Sequence, residues 1–214
     1  MAYYPVNLHA VGRRCLVFGG GTVAERKVSA LLAAGAIVTV CSPTMTPLLL
    51  EMAASNRVSY INSEYRPGLA HDCFIVICAT DDQEVNLRAA KEASAEGALV
   101  NVVDSPEFGD FSVPAQVVRG DLVLTVSTGG KSPALAAWVK RDLEKRYGTE
   151  YELYLELISR LRREVKARLR TSGERQSFWR ESLNEEIFAL LAAGRLDEAE
   201  EKIRNAFGCT GIQS

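Results

Sequence analysis

Arg14-Cys-Leu-Val-Phe-Gly-Gly-Gly-Thr-Val-Ala-Glu-Arg-Lys27 decides how the chain folds. An apolar strand runs straight into three glycines, and a helix begins at once. Gly19, Gly21 and Ala24 fit the G-x-G-x-x-G/A pattern of a dinucleotide site. Gly19 permits a tight turn, Gly21 lets a pyrophosphate approach the backbone, and small Ala24 lets helix and strand pack closely. The first amides of the helix lack intrahelical partners and lie at the positive end of its dipole, which suits a diphosphate. Val28, Leu31 and Leu32 give the helix an inward face, Gly35 ends it, and Ile37-Val-Thr-Val-Cys41 forms a second strand. A bare glycine triplet is more often a turn than a site. The β-α-β frame around this one makes it a nucleotide loop.

The pattern repeats further along the chain. Thr46 or Thr44 caps a helix over Leu48–Ala54, and Val58–Ile61 is a short strand. Cys73-Phe-Ile-Val-Ile-Cys-Ala79 is apolar without alternation, as expected of a central parallel strand covered on both faces. Thr80-Asp-Asp82 ends it, and a helix runs from Gln83 to about Glu96 with Val85, Leu87, Ala89, Ala90 and Ala93 facing inward. Ala98–Val103 is the next strand, ending at Asp104. The order β-α-β-α-β-β-α-β predicts a parallel sheet with helices on both faces, a nucleotide-binding domain of about 110 residues.

The character then changes. Phe111–Val118 and Leu122–Ser127 flank Arg119-Gly-Asp121 as a hairpin. Thr128-Gly-Gly-Lys-Ser-Pro133 leads into a helix from Ala134 to about Tyr147, with Ser132 as N-cap and Pro133 at its first position. From Thr149 the chain reads as helical throughout. Leu153, Leu157, Leu161 and Val165 form one stripe. Phe178, Trp179, Leu183, Ile187 and Leu190 form the next, in a helix closed by Gly194, and Leu196–Phe207 makes the last helix. The many charges of this region read as a solvated face.

Bulk properties narrow the function. The 214 residues are 47% hydrophobic and 24% charged, enough for a large core in a soluble protein. A net charge of −2 argues against a general nucleic-acid binder. No apolar run approaches membrane-span length, and the N-terminus has no basic stretch followed by an apolar one, so a cytoplasmic enzyme is expected. None of the five cysteines forms a C-x-x-C pair, so no bound metal is expected.

In an open parallel sheet the ligand crevice lies beyond the carboxyl ends of the strands. The loops Gly19–Thr22, Thr80–Asp82 and Asp104–Ser105 should meet there. The expected cofactor contacts are Gly19, Gly20, Gly21, Thr22, Val23, Ser42, Pro43, Thr44, Thr80 and Asp81. Asp104 leaves the last strand beside that site and could act as a general base if burial or neighbours tune it. It could equally cap a turn before Pro106. Thr128, Gly129, Gly130, Lys131 and Ser132 offer amides and one lysine to a carboxylate or phosphate, or form an ordinary glycine turn. Arg66, Arg119, Lys131, Lys140 and Arg141 could add positive charge. At the end of the second strand Cys41-Ser-Pro-Thr44 replaces the usual ribose-binding acid, and no arginine marks a 2′-phosphate site, which favours NAD over NADP.

With these residues assembled, the chain resembles the precorrin-2 dehydrogenase module of sirohaem synthases, some members of which are also sirohydrochlorin ferrochelatases. The likeness rests on Gly19–Lys27, Ala79-Thr-Asp-Asp82 with Asn86, Asn101-Val-Val-Asp104, Phe111-Ser-Val-Pro114, Ser127–Ala134 and Gly173-Glu-Arg-Gln-Ser-Phe-Trp179. It covers nearly the whole chain, which resembles the stand-alone form, expected to work without a methyltransferase module. The resemblance implies a Rossmann-type domain (1–110), a small α+β dimerisation region (111–148) and an all-helical C-terminal domain (149–214). It implies a cytoplasmic homodimer that oxidises precorrin-2 to sirohydrochlorin with NAD, and insertion of a transient Fe2+ in some members. It gives Asp104 the catalytic role and the Thr128–Ser132 turn the substrate's carboxylates. Two other readings stand beside it: a non-catalytic NAD sensor, and a chelatase with a vestigial nucleotide site.

Overall fold

The computed structural model describes residues 3–209, with side chains as far as Ala206. The chain forms two compact units, Tyr4–Val113 and a second that begins at Pro114.

In the first unit, β1 (Arg14–Phe18), β2 (Ile37–Cys41), β3 (Ser59–Ile61), β4 (Ile75–Cys78) and β5 (Leu99–Val102) make one sheet. Their order is β3-β2-β1-β4-β5, with every pairing parallel. The chain runs outward from β1 to β3, then returns to β4 on the other side of β1. The switch point therefore lies between β1 and β4, whose carboxyl ends carry Gly19 and Ala79. Ligand crevices of such sheets open there.

Alternate strand residues feed two cores. Cys15, Val17, Val38, Val40, Ile75 and Ile77 pack with α1 (Thr22–Ala33) and α2 (Pro47–Ala54) on one face. Leu16, Phe18, Val76, Cys78, Val100 and Val102 pack on the other face, against Ala89, Ala90 and Ala93 of α3 (Gln83–Ala95). Burial on both sides is why β1 and β4 read as unbroken apolar runs. The inward face of α3 differs from expectation. Val85 and Leu87 are half-buried, and Asn86 is buried beside the three alanines.

The second unit opens with the antiparallel hairpin β6 (Ala115–Arg119) and β7 (Leu122–Val126). Ser132 caps α4 (Pro133–Arg146), its hydroxyl accepting from the Leu135 amide at 3.2 Å. Then come α5 (Glu150–Arg168), α6 (Ser172–Glu181), α7 (Glu185–Ala192) and α8 (Leu196–Cys209). Tyr154, Leu157, Leu161, Val165, Phe178, Ile187, Leu191 and Ile203 form their core. The single helix expected across Phe178–Leu190 is in fact two. Asn184 Oδ1 accepts from the Ile187 amide at 3.0 Å and starts α7 afresh, which leaves Leu183 56% exposed between the helices. No helix among the described residues is long and apolar enough to cross a membrane.

Candidate nucleotide and substrate site

The three glycines after β1 do three different things. Gly19 has a φ of +113°, and a Cβ on it would stand 2.2 Å from the Ala79 carbonyl oxygen. At Gly20 a Cβ would stand 1.9 Å from the Thr44 oxygen and 2.9 Å from Ser42 Oγ. The Thr46 amide donates to the Gly20 oxygen at 2.9 Å, which holds the loop after β2 in place. At Gly21 an added Cβ would meet nothing within 4 Å. The first two glycines are thus packed against the exits of β4 and β2, and the third faces open space. The sequence pattern leaves the middle glycine unspecified, yet packing demands it.

Gly21 is also the N-cap of α1, and no side chain caps that helix. By contrast Thr46, Asp82, Ser132, Thr171 and Asn184 cap α2, α3, α4, α6 and α7. The acid in the first turn of α1, Glu25, accepts a hydrogen bond from the Thr46 hydroxyl. The α1 amides are left to an external acceptor. Thr22 is exposed there and Val23 half-buried. At the end of β2, Ser42 is buried under Gly20, while Pro43 and Thr44 are exposed. Cys41 donates to the Ser63 carbonyl at 3.3 Å, and burial pushes its thiol pKa up.

Asn86 builds the exit of β4. Its Oδ1 accepts from the Thr80 amide at 3.0 Å and the Thr80 hydroxyl at 2.8 Å, and its Nδ2 donates to the Thr80 carbonyl at 2.9 Å. Asp82 caps α3 by accepting from the Glu84 amide at 2.8 Å and the Val85 amide at 3.1 Å. Asp81 is exposed between them. The role of Asn86 escaped residue-by-residue reading. The available signal was an asparagine near a helix start, where its side chain competes for backbone groups.

At the exit of β5, Gln83 Nε2 donates to Ser105 Oγ at 3.2 Å and ties this turn to the start of α3. Asp104, next to it, is exposed and has no hydrogen bond or ion pair among the described residues. The turn Pro106–Phe108 begins at Ser105 without a side-chain cap, so capping is not what Asp104 does. Its carboxylate is uncommitted among the described residues.

Thr128–Ser132 lies in the second unit; Gly19–Val23, Ser42–Thr44, Thr80–Asp81 and Asp104 lie in the first. The Thr128 hydroxyl accepts from the Ser132 amide and donates to the Ser132 carbonyl, both at 3.1 Å. Gly129 and Gly130 take positive φ to close this turn, and Lys131 is exposed. Arg119 is spent elsewhere. Its Nε donates to the Tyr147 carbonyl at 2.9 Å and its Nη2 to that of Glu144 at 3.3 Å, so it serves the end of α4. Lys140 pairs with Glu144 at 3.4 Å. Among the described residues no group of three His, Cys, Asp or Glu could hold a metal ion.

A family model described as putative NAD(P)-binding matches residues 6–115. The sirohaem biosynthesis protein central model matches 119–146, and the sirohaem synthase dimerisation region model matches 151–207. A siroheme synthase of Nitrosococcus oceani is 37% identical over 206 residues, 96% of this chain and 44% of that protein. One of Methylobacillus flagellatus is 36% identical over 211 residues, 99% and 45% respectively. The chain thus spans less than half the length of these curated relatives. A solved structure titled SirC, precorrin-2 dehydrogenase, is similar with a TM-score of 0.77 and 30% identity, over 95% of this chain and 100% of that one.

Proposed function

Because the chain belongs to the siroheme synthase and precorrin-2 dehydrogenase family, we propose that it oxidises precorrin-2 to sirohydrochlorin with NAD. The observation that carries this reading is the uncapped start of α1, facing open space at Gly21. The cradle fits a dinucleotide. Side chains at Gly19 and Gly20 would collide with the backbone of Ala79 and Thr44 that frames it, a side chain at Gly21 would enter the open space, and the first α1 amides remain for a diphosphate. In this reading exposed Pro43 and Thr44, after β2, meet a ribose, and Thr80 with exposed Asp81, after β4, meets the cofactor from the other side of the switch point. When bound, NAD supplies the hydride acceptor of the reaction.

The substrate must also lose a proton, and the chain needs a base for it. Asp104 is a carboxylate at the sheet's carboxyl edge with no partner among the described residues to compete for its oxygens. Ser105, buried and tied to Gln83, holds the backbone that presents it. The same oxygens suit a second step, in which Fe2+ enters sirohydrochlorin as a substrate and pyrrole protons leave. The Thr128–Ser132 turn keeps Lys131 exposed for one of the tetrapyrrole's carboxylates.

The chain acts as a homodimer in this proposal. Val118 and Val123, paired on the hairpin, are each 48% exposed, and Leu135 and Trp138 of α4 are 50% and 61% exposed. No residue of α4 is buried. A helix and hairpin this apolar on the outside fit a covered surface.

The reading is tested by adding NAD+ to precorrin-2 without oxygen and following the sirohydrochlorin spectrum. NADH formed in step with that spectrum is the expected result. Tight NAD binding with intact substrate would leave an NAD sensor instead. Fe2+ with sirohydrochlorin, assayed separately, tests the second step.

A further inference from the structure

Between Arg160 and Arg180 stand eight basic residues and two acidic ones, a local net charge of +6 in a chain whose formal charge is −2. By sequence alone this is a solvated face. The structure folds part of it into a groove of about 680 Å³ between α5 and α6, lined by Arg162, Lys166, Arg175 and Trp179 among others, with no acidic residue in the lining. The two acids of the segment are engaged elsewhere. Glu164 takes Arg168 at 2.9 Å and also Arg204, and Glu174 closes the capping box of α6 with Thr171. Arg162 and Lys166 therefore have no ion-pair partner among the described residues, although they sit one turn apart on α5, where like charges repel.

Two walls of the groove are fixed in advance. Arg175 Nη1 donates to the Leu169 and Arg170 carbonyls, each at 2.9 Å. Trp179 stands edge-on against buried Phe178, with ring centroids 4.9 Å apart, and stays half-exposed. Cations held beside an aromatic wall match a flat macrocycle rimmed with carboxylates.

We propose that this groove is a tetrapyrrole-binding subsite in which Arg162, Lys166 and Arg175 take carboxylates of the macrocycle and Trp179 lies against the ring. The ligand's identity rests on the function proposed above; the anionic character of the ligand rests on the groove itself.

The test uses uroporphyrin III, which carries eight carboxylates, titrated into the whole chain and followed by its absorption and fluorescence. Arg162→Gln with Lys166→Gln removes two lining charges. Arg163→Gln with Arg180→Gln removes two charges of the same segment from outside the lining. The lining pair is expected to weaken binding at least about tenfold, and the outer pair no more than about twofold at physiological salt. Coproporphyrin III, with half the carboxylates, should bind more weakly than uroporphyrin. Equal weakening by both pairs would mean diffuse attraction only and would overturn the subsite, as would unchanged binding in the lining pair. Lys166→Gln alone serves if the double variant is unstable. Because binding is read rather than turnover, a chain that holds porphyrin through these residues but does not oxidise precorrin-2 would keep the groove and remove the reaction.

Discussion

The Ala79 carbonyl oxygen occupies the place where Gly19 would carry a side chain: a Cβ built there lies 2.2 Å away. This contact joins the exits of β1 and β4 across the switch point and sets the floor of the proposed cofactor cradle. Gly19→Ala meets two obstacles, the clash and a φ of +113° that L-residues rarely adopt. The expected cost is about 2 kcal/mol or more of stability, with weaker NAD binding, since neither backbone can yield cheaply. Gly21→Ala is expected to leave stability within about 1 kcal/mol, because its Cβ would meet open space. Gly21→Asp should keep the fold but abolish NAD binding, by filling the diphosphate's place and repelling its charge. Thermal unfolding and calorimetric NAD titration of the three variants separate these outcomes.

Asn86 makes three hydrogen bonds to one residue, Thr80, from a buried position. In Asn86→Ala the amide and carbonyl of Thr80 lose their partners together. The expected destabilisation is about 1–3 kcal/mol, with a rise in the NAD dissociation constant as the Ala79–Thr80 turn loosens. Asp82→Ala is the comparison, since it removes the α3 cap at about 1 kcal/mol and leaves the Asn86–Thr80 bonds untouched. A similar NAD affinity in both variants would show that Asn86 only stabilises the fold.

Much of this could be read from the chain. The unalternating run at β4 announces a strand buried on both faces, and the glycine loop after β1 marks the expected crevice. Thr46, Asp82 and Ser132 stood where helices begin. What could not be read depends on residues far apart in sequence. Gly20 is needed because Thr44 folds back against it, and Arg119 is spent because the end of α4 comes within its reach. The helix break at Asn184 is hidden from the sequence because the apolar stripe continues across it. Its capping bond ends one helix and begins the next without disturbing that stripe.

The apolar outside of α4 makes a prediction of its own. Trp138→Asp places a charge on a residue 61% exposed in the single chain. If that ring is covered by a second copy, the variant should sediment as a monomer with its helix content unchanged. A monomeric wild type, or a dimer unaffected by the substitution, would remove the proposed interface.

The buried thiols predict how stability depends on pH. Burial raises Cys15 to about 11 and Cys78 to about 12, and burial with the neighbouring Glu92 raises Tyr65 to about 12. In the unfolded chain the thiols ionise near their ordinary value of about 8.5 and tyrosine near 10. Their contribution is thus complete below about pH 8.5, and it falls as pH rises toward 11 and 12, because only the unfolded state releases protons over that window. The melting temperature should hold between pH 7 and 8 and decline steadily above 9. Cys78→Ala should lower stability at neutral pH, since the site is fully buried, but flatten the alkaline decline. At pH 7 a thiol reagent should reach Cys15, Cys41 and Cys78 only after unfolding.

Asp104 offers the sharpest separation between structure and chemistry. Its side chain is exposed and makes no bond within the described chain, so Asp104→Asn should change stability by no more than about 0.5 kcal/mol. NAD affinity should also hold, because the diphosphate is assigned to the glycine loop on the other side of β4. A general base contributes about 100- to 10,000-fold, so kcat for precorrin-2 oxidation should fall by that factor. Asparagine keeps the shape and the hydrogen-bonding oxygen and loses only the ability to take a proton. A variant with weakened NAD binding and normal turnover at saturation would make Asp104 a cofactor contact, and the base would have to be sought elsewhere.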